Sequence, residues 1–474
     1  MTVLPLDPAA NRTPAALRAF LDGCQAAAVR AGRAQLVSIS LGVDPLDPLA
    51  VLESIFEPGE RHFYAERPDE GLAVAGAEAV LSFSASGPGR FAACQRFIDE
   101  TLDNTLAVGD LAAPFAGPHF FAAFSFADTV GPGEPFEAAG VFVPRWQVGR
   151  VGDRTVAVAN FLVDAGSPVE ALATRVWRAH ATFGAFDYSA PDFGGTPPAG
   201  SAAVSEPGDG PGYREAVRRT LADIACGRVE KVVLARVKDL AARGAFHPLR
   251  VLNGLRQRFT DCHAFSLANG RGQSFIGASP ERLLRVRGGE ILTEAQAGSI
   301  RRGASASEDA ALAGALLRDE KELREHRLVS GSIAESLSSL GIRPEAPSRP
   351  SVRRLANVQH LLTPIQGRLP GGVRLLDVLA RLHPTPAVGG TPREAAIAAI
   401  AERESFPRGL YAGATGWINA RGEGEFFVAL RSALIDGARA RLYAGAGIVA
   451  GSDPEREFAE TEIKFRAMQE ALVA

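Results

Sequence analysis

Residues 411–450 read "YAGATGWINARGEGEFFVALRSALIDGARARLYAGAGIVA" and contain three strand-like runs in succession. The runs are "YAGATGWINA", "EFFVALRSALI" and "RLYAGAGIVA", separated by short segments rich in Gly, Arg and Asp. Strands that follow one another directly, instead of alternating with helices, favour antiparallel pairing over a doubly wound parallel sheet. This stretch therefore predicts an antiparallel sheet.

The segments around this stretch extend the same pattern. A helix is predicted to begin near Asp453, and the runs "KVVLARV" (231–237), "SFIGASPERLLRV" (274–286) and "EILTEAQAGSIRRG" (290–303) indicate further strands. Apolar residues at helical spacing predict one long helix from about Glu308 to Leu340. We expect an α+β fold with large, mostly antiparallel sheets flanked by helices.

A segment dense in Pro, Gly and Ser, residues 186–213, is a candidate boundary between two halves. We expect residues 1–205 to form a strand-rich scaffold that carries no recognisable chemical motif, and residues 206–474 to form the catalytic half. The formal net charge of −3 gives no global field for nucleic acid or anionic membranes. Because the sequence has no signal-like start and no long apolar run, we expect a cytoplasmic protein without a membrane segment.

Lysine is rare in this chain: of 51 basic residues only four are lysines, Lys231, Lys238, Lys321 and Lys464. Lysine can lose its proton inside a protein, whereas arginine effectively cannot. Lys231 stands directly before the apolar run "VVLARV", so it is a candidate for a buried general base.

The acidic residues of two predicted helices indicate a metal site. Glu457, Glu460 and Lys464 are spaced three and four apart and share one helical face. Glu325 lies beside the apolar face of the long helix. Carboxylates without a zinc-like His or Cys cluster suit a hard cation, most plausibly Mg²⁺. A solvated helix face is the alternative.

Other polar residues stand at unusual positions. Arg431 interrupts an apolar strand and requires an anionic partner, either a structural carboxylate or a substrate carboxylate. Glu281 follows Pro280 in a turn that could face a cleft or the surface. The glycine-rich "YAGAGIVAGSD" (443–453) raises a nucleotide-binding alternative, but the acidic start of the following helix would repel phosphate.

These segments occur in an order that resembles the chorismate-utilising enzymes. The matching blocks are "KVVLAR", "FIGASPERLLR", "EAQAGSIRRG", "EHRLV", "VQHLLTPIQGRL", "LHPTPAVGG", "RGLYAGATGW", "FFVALRSA" and "LYAGAGIVAGSDPEREFAETEIK", which together span roughly residues 206–474. The family includes isochorismate synthase, salicylate synthase, anthranilate synthase and aminodeoxychorismate synthase.

The resemblance implies roles for individual residues. Lys231 would be the general base that activates water for attack at C2 of chorismate, and Glu281 the general acid that protonates the departing C4 hydroxyl. The implied ligands of a Mg²⁺ cofactor are Glu325 and Glu460, with Glu457 close by. The implied substrate-binding residues are Tyr411, Arg431, Gly445, Gly447, Lys464, His360 and Ala387.

The resemblance also narrows the reaction. Ammonia-using members carry glutamine at the position of Lys231, so no glutaminase partner is expected. Ala297 stands where aminodeoxychorismate synthase has a nucleophilic lysine. Ala387 favours isochorismate synthase, whereas Tyr411 is the residue typical of the salicylate-forming enzymes. We expect a monomeric isochorismate synthase that acts on chorismate. A salicylate synthase and a non-catalytic chorismate-binding paralogue are the alternatives.

Overall fold

A computed structural model describes residues 1–3, 13–55, 59–184, 203–205, 210–356 and 358–473 of the chain. Most of the predicted linker, residues 186–213, lies outside the described residues. The division into residues 1–205 and 206–474 therefore stays a prediction.

The described residues form a helix-flanked assembly of strands. The helices are α1 (Pro14–Ala31), α2 (Pro48–Ser54), α3 (Arg90–Asp103), α4 (Val169–Gly184), α5 (Gly210–Ala225), α6 (Pro248–Arg258), α7 (Ala306–Leu316), α8 (Glu320–Ser338), α9 (Leu375–Leu382), α10 (Arg393–Arg403) and α11 (Pro454–Val473), with one short 3-10 helix at Pro68–Glu70. Within these described ranges, no helix is both long enough and apolar enough to cross a membrane.

The strands are β1 (Thr2–Val3), β2 (Gln35–Val43), β3 (Arg61–Arg67), β4 (Leu72–Ala85), β5 (Thr105–Val108), β6 (His119–Phe124), β7 (Ala139–Val151), β8 (Arg154–Val163), β9 (Ala203–Ser205), β10 (Lys231–Ala241), β11 (His263–Asn269), β12 (Gln273–Ser279), β13 (Arg282–Arg287), β14 (Glu290–Arg301), β15 (Ser351–Arg354), β16 (Val358–Arg368), β17 (Gly390–Thr391), β18 (Ala414–Asn419), β19 (Gly424–Val428), β20 (Ser432–Asp436) and β21 (Arg439–Val449). They belong to one network of paired strands. Parallel pairing is confined, in the described part of the chain, to β1 with β5 and β2 with β5. The predicted α+β fold with mostly antiparallel pairing is confirmed.

Strands from both sides of the predicted boundary pair with each other. β3 runs antiparallel to β11, with Ala65 opposite Phe265, and β6 runs antiparallel to β18, with Phe121 opposite Trp417. The aromatic rings of Phe63 and Phe121 stack with their centroids 4.4 Å apart. The residues before the linker thus share backbone hydrogen bonds and core contacts with those after it.

The prediction of one helix from Glu308 to Leu340 is wrong, because the segment is divided into α7 and α8. Asp319 has an extended backbone conformation and caps α8, since its carboxylate accepts hydrogen bonds from the amides of Lys321 at 2.9 Å and Glu322 at 3.1 Å. An aspartate whose side chain takes up the first free amides favours a new helix start. Val329, Ile333 and Leu337 then bury one face of α8, which directs Glu325 toward β10.

β10 and β21 form a long strand pair in the segment that follows the predicted boundary. They pair antiparallel from Lys231 opposite Val449 to Ala241 opposite Arg439. α11 follows β21 and begins at Pro454, as predicted. Glu462 of α11 bonds to Arg236 at 2.7 Å and to Lys238 at 2.6 Å. These ion pairs fasten the last helix to β10.

Candidate active site

One pocket gathers most of the predicted site residues. It is bordered by β10, β14, β21, α8 and α11 and by the turns that follow β12 and β19. The predicted residues that line it are Glu281, Glu325, His360, Ala387, Tyr411, Arg431, Gly445, Gly447, Glu460 and Lys464. Of the two others, Lys231 contacts Glu325, and Glu457 lies one helical turn before Glu460.

Lys231 is the first residue of β10 and is fully buried. Its Nζ lies 2.8 Å from Oε1 of Glu325. Among the described residues, no acceptor has both the distance and the angle of a hydrogen bond to this Nζ. The contact with Glu325 is therefore an ion pair without a hydrogen bond. The apolar residues Val232 and Leu234 anchor the strand in the core, which holds Lys231 against Glu325, a residue that lines the pocket.

Gly447 and Gly445 keep space open around this ion pair. A Cβ on Gly447 would lie 2.5 Å from Oε1 of Glu325 and 3.2 Å from Cε of Lys231. A Cβ on Gly445 would lie 3.0 Å from the Tyr411 hydroxyl. The two glycines lie inside β21 and not in a loop. Glycine is uncommon within strands unless another group approaches closely, and here that group is the candidate base with its carboxylate partner.

The backbone amides of these glycines point away from β10. Val233 and Ala235, which lie opposite Gly447 and Gly445, donate their amides to Gly389 O at 2.8 Å and Glu404 Oε1 at 2.7 Å. These pairs are therefore the non-hydrogen-bonded pairs of the ladder, in which both backbones turn outward. The pairing of β21 with β20 ends at Leu442, so both glycine amides lie on an edge that β20 does not cover.

Glu281 lies in the turn between β12 and β13. Its backbone is held by two bonds, from its own amide to Ser279 Oγ at 3.3 Å and from the Val428 amide to its carbonyl at 3.1 Å. Burial raises the pKa of its carboxyl to about 8, although the charge of Lys231 opposes this shift. No hydrogen bond or ion pair joins this carboxyl to another described residue. It therefore carries a proton at neutral pH.

Cationic groups border the same pocket. Arg431 is 8% exposed, and its Nη1 has no hydrogen-bond partner among the described residues. Its φ of 47° is unusual for a residue other than glycine. Lys464 donates to the carbonyl of Gly445 at 2.7 Å and pairs with Glu460 at 2.7 Å. An unpartnered buried guanidinium requires an anion, so the pocket suits a carboxylate ligand.

The remaining predicted substrate-binding residues are uncharged. Tyr411 stacks on Tyr443 with ring centroids 5.1 Å apart, and burial raises the pKa of its hydroxyl. His360 lies 2.9 Å from Ser299 Oγ through Nδ1, and burial together with the charge of Arg431 holds its pKa well below the usual value. The imidazole is therefore neutral. Ala387 contributes a small apolar patch.

The predicted metal residues lie in one acidic cluster, and each of them forms an ion pair with a lysine. Glu325 pairs with Lys231 at 2.8 Å, Glu457 with Lys321 at 3.1 Å and Glu460 with Lys464 at 2.7 Å. Among the described residues no three His, Cys, Asp or Glu groups stand close enough together to bind a metal ion as arranged. Each carboxylate instead has an ammonium partner.

The chemistry of this cluster nevertheless fits a hard divalent cation. Glu322 joins the cluster, and burial and the charges of Glu325 and Glu460 raise its pKa to about 7. Burial and Glu460 likewise raise the pKa of Glu457. Burial is the larger cause of both shifts, and the negative charge of neighbouring carboxylates adds to it. Oxygen donors are the ligands that Mg²⁺ prefers.

A buried ion pair that sequence patterns did not indicate supports β10, the strand that begins with Lys231. Arg408 donates to the carbonyls of Val233 at 2.7 Å and Val388 at 2.9 Å and pairs with Glu404 at 2.6 Å. The same oxygen of Glu404, Oε1, also accepts a hydrogen bond from the Ala235 amide. This pair ties β10 to the segment that carries Ala387, and its only sequence signal is the spacing of Glu404 and Arg408 by four.

Arg353 of β15 is the other residue that sequence patterns missed. Its Nη1 donates to the carbonyl of Pro280 at 2.9 Å, to Glu294 at 2.7 Å and to Gln296 at 3.1 Å. It thereby fixes the backbone directly before Glu281. No local pattern marks this arginine, because its partners come from distant segments.

Fold and pocket together suit acid–base chemistry on a small anionic molecule. The cavity is bordered by Glu281, whose pKa is raised, and by Glu325, which contacts the buried Lys231. Arg431, whose Nη1 has no partner among the described residues, lies at the same cavity. The fold places them on an antiparallel sheet assembly that continues across both halves of the chain.

Comparison with known proteins specifies the class. A sequence model of the family described as "chorismate binding enzyme" matches residues 22–473. The salicylate biosynthesis isochorismate synthase of Pseudomonas aeruginosa is 37% identical over 463 residues, which cover 97% of this chain and 94% of that protein. Isochorismate synthase MenF of Bacillus subtilis is 34% identical over 450 residues, covering 93% of this chain and 94% of that protein. The chain belongs to the chorismate binding enzymes.

Solved structures agree with this assignment. The menaquinone-specific isochorismate synthase MenF of Escherichia coli superposes with a TM-score of 0.76 at 27% identity. The match covers 96% of this chain and 100% of that one. Anthranilate synthase component I of Streptococcus pneumoniae, 21% identical, has a TM-score of 0.67 and covers 84% of this chain and 92% of its own. At that identity the second likeness concerns the fold alone.

Proposed function

We propose that this protein is an isochorismate synthase, which adds water at C2 of chorismate and releases the C4 hydroxyl as water. The observation that carries the proposal is one pocket lined both by Glu281, whose pKa is raised, and by Glu325, which contacts Lys231. Displacing a hydroxyl requires a proton donor, and attack by water requires a base. The names of the Pseudomonas and Bacillus relatives, both isochorismate synthases, support the same reaction.

In this mechanism each group has one task. Lys231 in its neutral form accepts a proton from water as the oxygen attacks C2. The ring double bond shifts, and Glu281 gives its proton to the C4 oxygen, which leaves as water. One water enters and one leaves, so the reaction is an isomerisation. The raised pKa of Glu281 keeps the acid form available at neutral pH.

The carboxylates of chorismate are bound by the cationic side of the pocket. The unpartnered Nη1 of Arg431 and the hydroxyl of Tyr411 would receive the enolpyruvyl carboxylate. Lys464 and the outward-facing amides of Gly445 and Gly447 would face the ring carboxylate. His360 and Ala387 would complete the wall. Fixed donors of this kind hold the ring between base and acid.

Mg²⁺ is the proposed cofactor, bound by Glu325 and Glu460 with Glu457 nearby. When bound, it supplies positive charge for the ring carboxylate of the substrate. The ion would take the place of lysine charges at these carboxylates. The mutual repulsion within the acidic cluster supports this assignment.

The wider setting is part of the proposal. We propose a cytoplasmic monomer that uses water, without a glutaminase subunit, because lysine stands at position 231. Residues 1–205 would act as a scaffold whose β3 and β6 extend the catalytic sheet through β11 and β18.

Product analysis tests the function. Purified protein is incubated with chorismate and Mg²⁺, and the products are separated by chromatography. We expect isochorismate without pyruvate. Equimolar salicylate and pyruvate would instead identify a salicylate synthase, and binding of chorismate without any product would identify a non-catalytic paralogue.

A further inference from the structure

Gln296 of β14 presents an unused hydrogen-bond donor to the pocket. Its side chain lines the cavity and is 8% exposed. Oε1 accepts a hydrogen bond from Nη1 of Arg353 at 3.1 Å. A guanidinium can only donate, so the atom that faces Arg353 must be the amide oxygen. The NH₂ group is therefore turned away from Arg353, and no described residue accepts a hydrogen bond from it.

Arg353 also fixes where this donor lies. The same Nη1 donates to the carbonyl of Pro280 at 2.9 Å and to Glu294 at 2.7 Å. Nη2 makes a second, longer contact with Glu294 at 3.4 Å. One guanidinium thus joins Gln296 to the residue directly before Glu281. Arg353 therefore holds the amide of Gln296 near the turn that carries Glu281.

We propose that Gln296 is a substrate-binding residue whose NH₂ donates a hydrogen bond to an oxygen of the substrate on the Glu281 side, and that Arg353 is the positioning residue that sets the amide orientation. This inference rests on the proposed function, which supplies a hydroxyl and carboxylates as acceptors. The NH₂ group reaches the cavity, so a substrate oxygen that enters the pocket can accept a hydrogen bond from it.

The position also makes Gln296 a specificity determinant. A site built to donate to a substrate oxygen discriminates strongly against molecules that lack this oxygen, because the donor is then left without a partner. An apolar side chain at position 296 would fill the same space without this selection.

Removing the donor tests the proposal in the full-length protein. In Gln296→Leu we expect kcat/KM for chorismate to fall roughly fivefold to tenfold, the value of one hydrogen bond, with a parallel increase in the Kd of chorismate measured by calorimetry. Gln296→Met, which keeps the length of the side chain, provides a second variant if the leucine does not fold. Unchanged Kd and kcat/KM in a folded variant would overturn the proposal.

A double-mutant cycle tests the role of Arg353. If Arg353 acts by orienting the amide, Gln296→Leu will cost little in an Arg353→Met background, and the two effects will not add. Full additivity would overturn the positioning role. A merely structural glutamine would lower the melting temperature without a change in the Kd.

Gln147→Leu is the matched control. Gln147 is buried in β7 outside the pocket, and its Nε2 donates to Phe115 O at 2.9 Å. This variant should lose stability and keep the wild-type KM. The wild-type protein separates the two hypotheses: absence of isochorismate refutes the proposed function, whereas wild-type turnover with an unaffected Gln296→Leu variant refutes only the role of Gln296.

Discussion

One side of the pocket, called the acid wall, carries Glu281; another, called the base wall, carries Glu325 and its partner Lys231. The pKa values of the two glutamates are shifted in opposite directions. Glu281, on the turn after β12, has no bonded partner among the described residues, and burial raises the pKa of its carboxyl to about 8. Burial would also raise the pKa of Glu325 on α8, but the adjacent charge of Lys231 brings it below its usual value. Burial thus sets the direction of the shift for Glu281, whereas the charge of Lys231 sets it for Glu325.

The difference follows from the elements that carry the residues. α8 aims Glu325 at the first residue of β10, where Gly447 leaves space for the contact. The turn that carries Glu281 is instead held through its backbone by Ser279, Val428 and Arg353, which leaves its carboxyl unpaired. The base wall thus favours the charged form of Glu325, and the acid wall favours the protonated form of Glu281.

The largest expected effect comes from removing the amine of Lys231. Lys231→Gln should lower the rate of isochorismate formation roughly 10²- to 10⁴-fold, the range for loss of a general base. Glutamine can still contact Glu325, so the fold should persist, as checked by circular dichroism. Product formation is followed by chromatography.

Lys238→Gln is the control for this substitution. Lys238 lies on the same strand, is buried and pairs with Glu462 outside the pocket. It should retain most of the turnover. Near-normal activity of a folded Lys231→Gln protein would rule out Lys231 as the base.

A smaller effect is expected from the acidic cluster behind the base wall. Glu460→Gln should raise the Mg²⁺ concentration for half-maximal activity about tenfold to hundredfold, the usual scale for disturbing a metal site. Chelation by EDTA should abolish turnover of the wild-type protein, and added Mg²⁺ should restore it. Titration of activity with Mg²⁺ provides the measurement.

Glu455→Gln is the matched control on the same helix. Glu455 is solvent-exposed and pairs with Arg214 on the surface, at 2.7 Å. Its Mg²⁺ dependence should match that of the wild type. An equal shift in both variants would mean that the cluster around Glu460 does not bind the ion.

Part of the structure of both walls could be predicted from the sequence. The strands around the pocket were predictable, because apolar runs broken by Gly, Pro and Asp give a local signal. The candidate catalytic residues were predicted from sequence blocks that resemble those of the chorismate-utilising enzymes and occur in the same order. The break at Asp319 was missed because the apolar spacing continues on both sides of it, although an aspartate before "EKE" is a capping signal.

The supports of each wall could not be predicted in the same way. Arg408 and Glu404 hold β10 through contacts with Val233 and Ala235, which lie 175 and 169 positions away in sequence. Arg353 similarly reaches back 73 positions to Pro280. Such pairs leave no periodic pattern, because their partners meet only when the sheet has formed. The resemblance therefore predicted candidate reacting groups, but it did not predict the groups that hold them.

The pH profile of the acid wall shows the smallest expected effect. Only the protonated form of Glu281 can donate to the leaving oxygen, so kcat/KM should fall as pH rises through its pKa of about 8. The slope should be about tenfold per pH unit above that value. Glu281→Gln should have a low residual rate without this alkaline limb. If the variant keeps the same limb, another group titrates, and the contrast between the two glutamates does not govern the reaction.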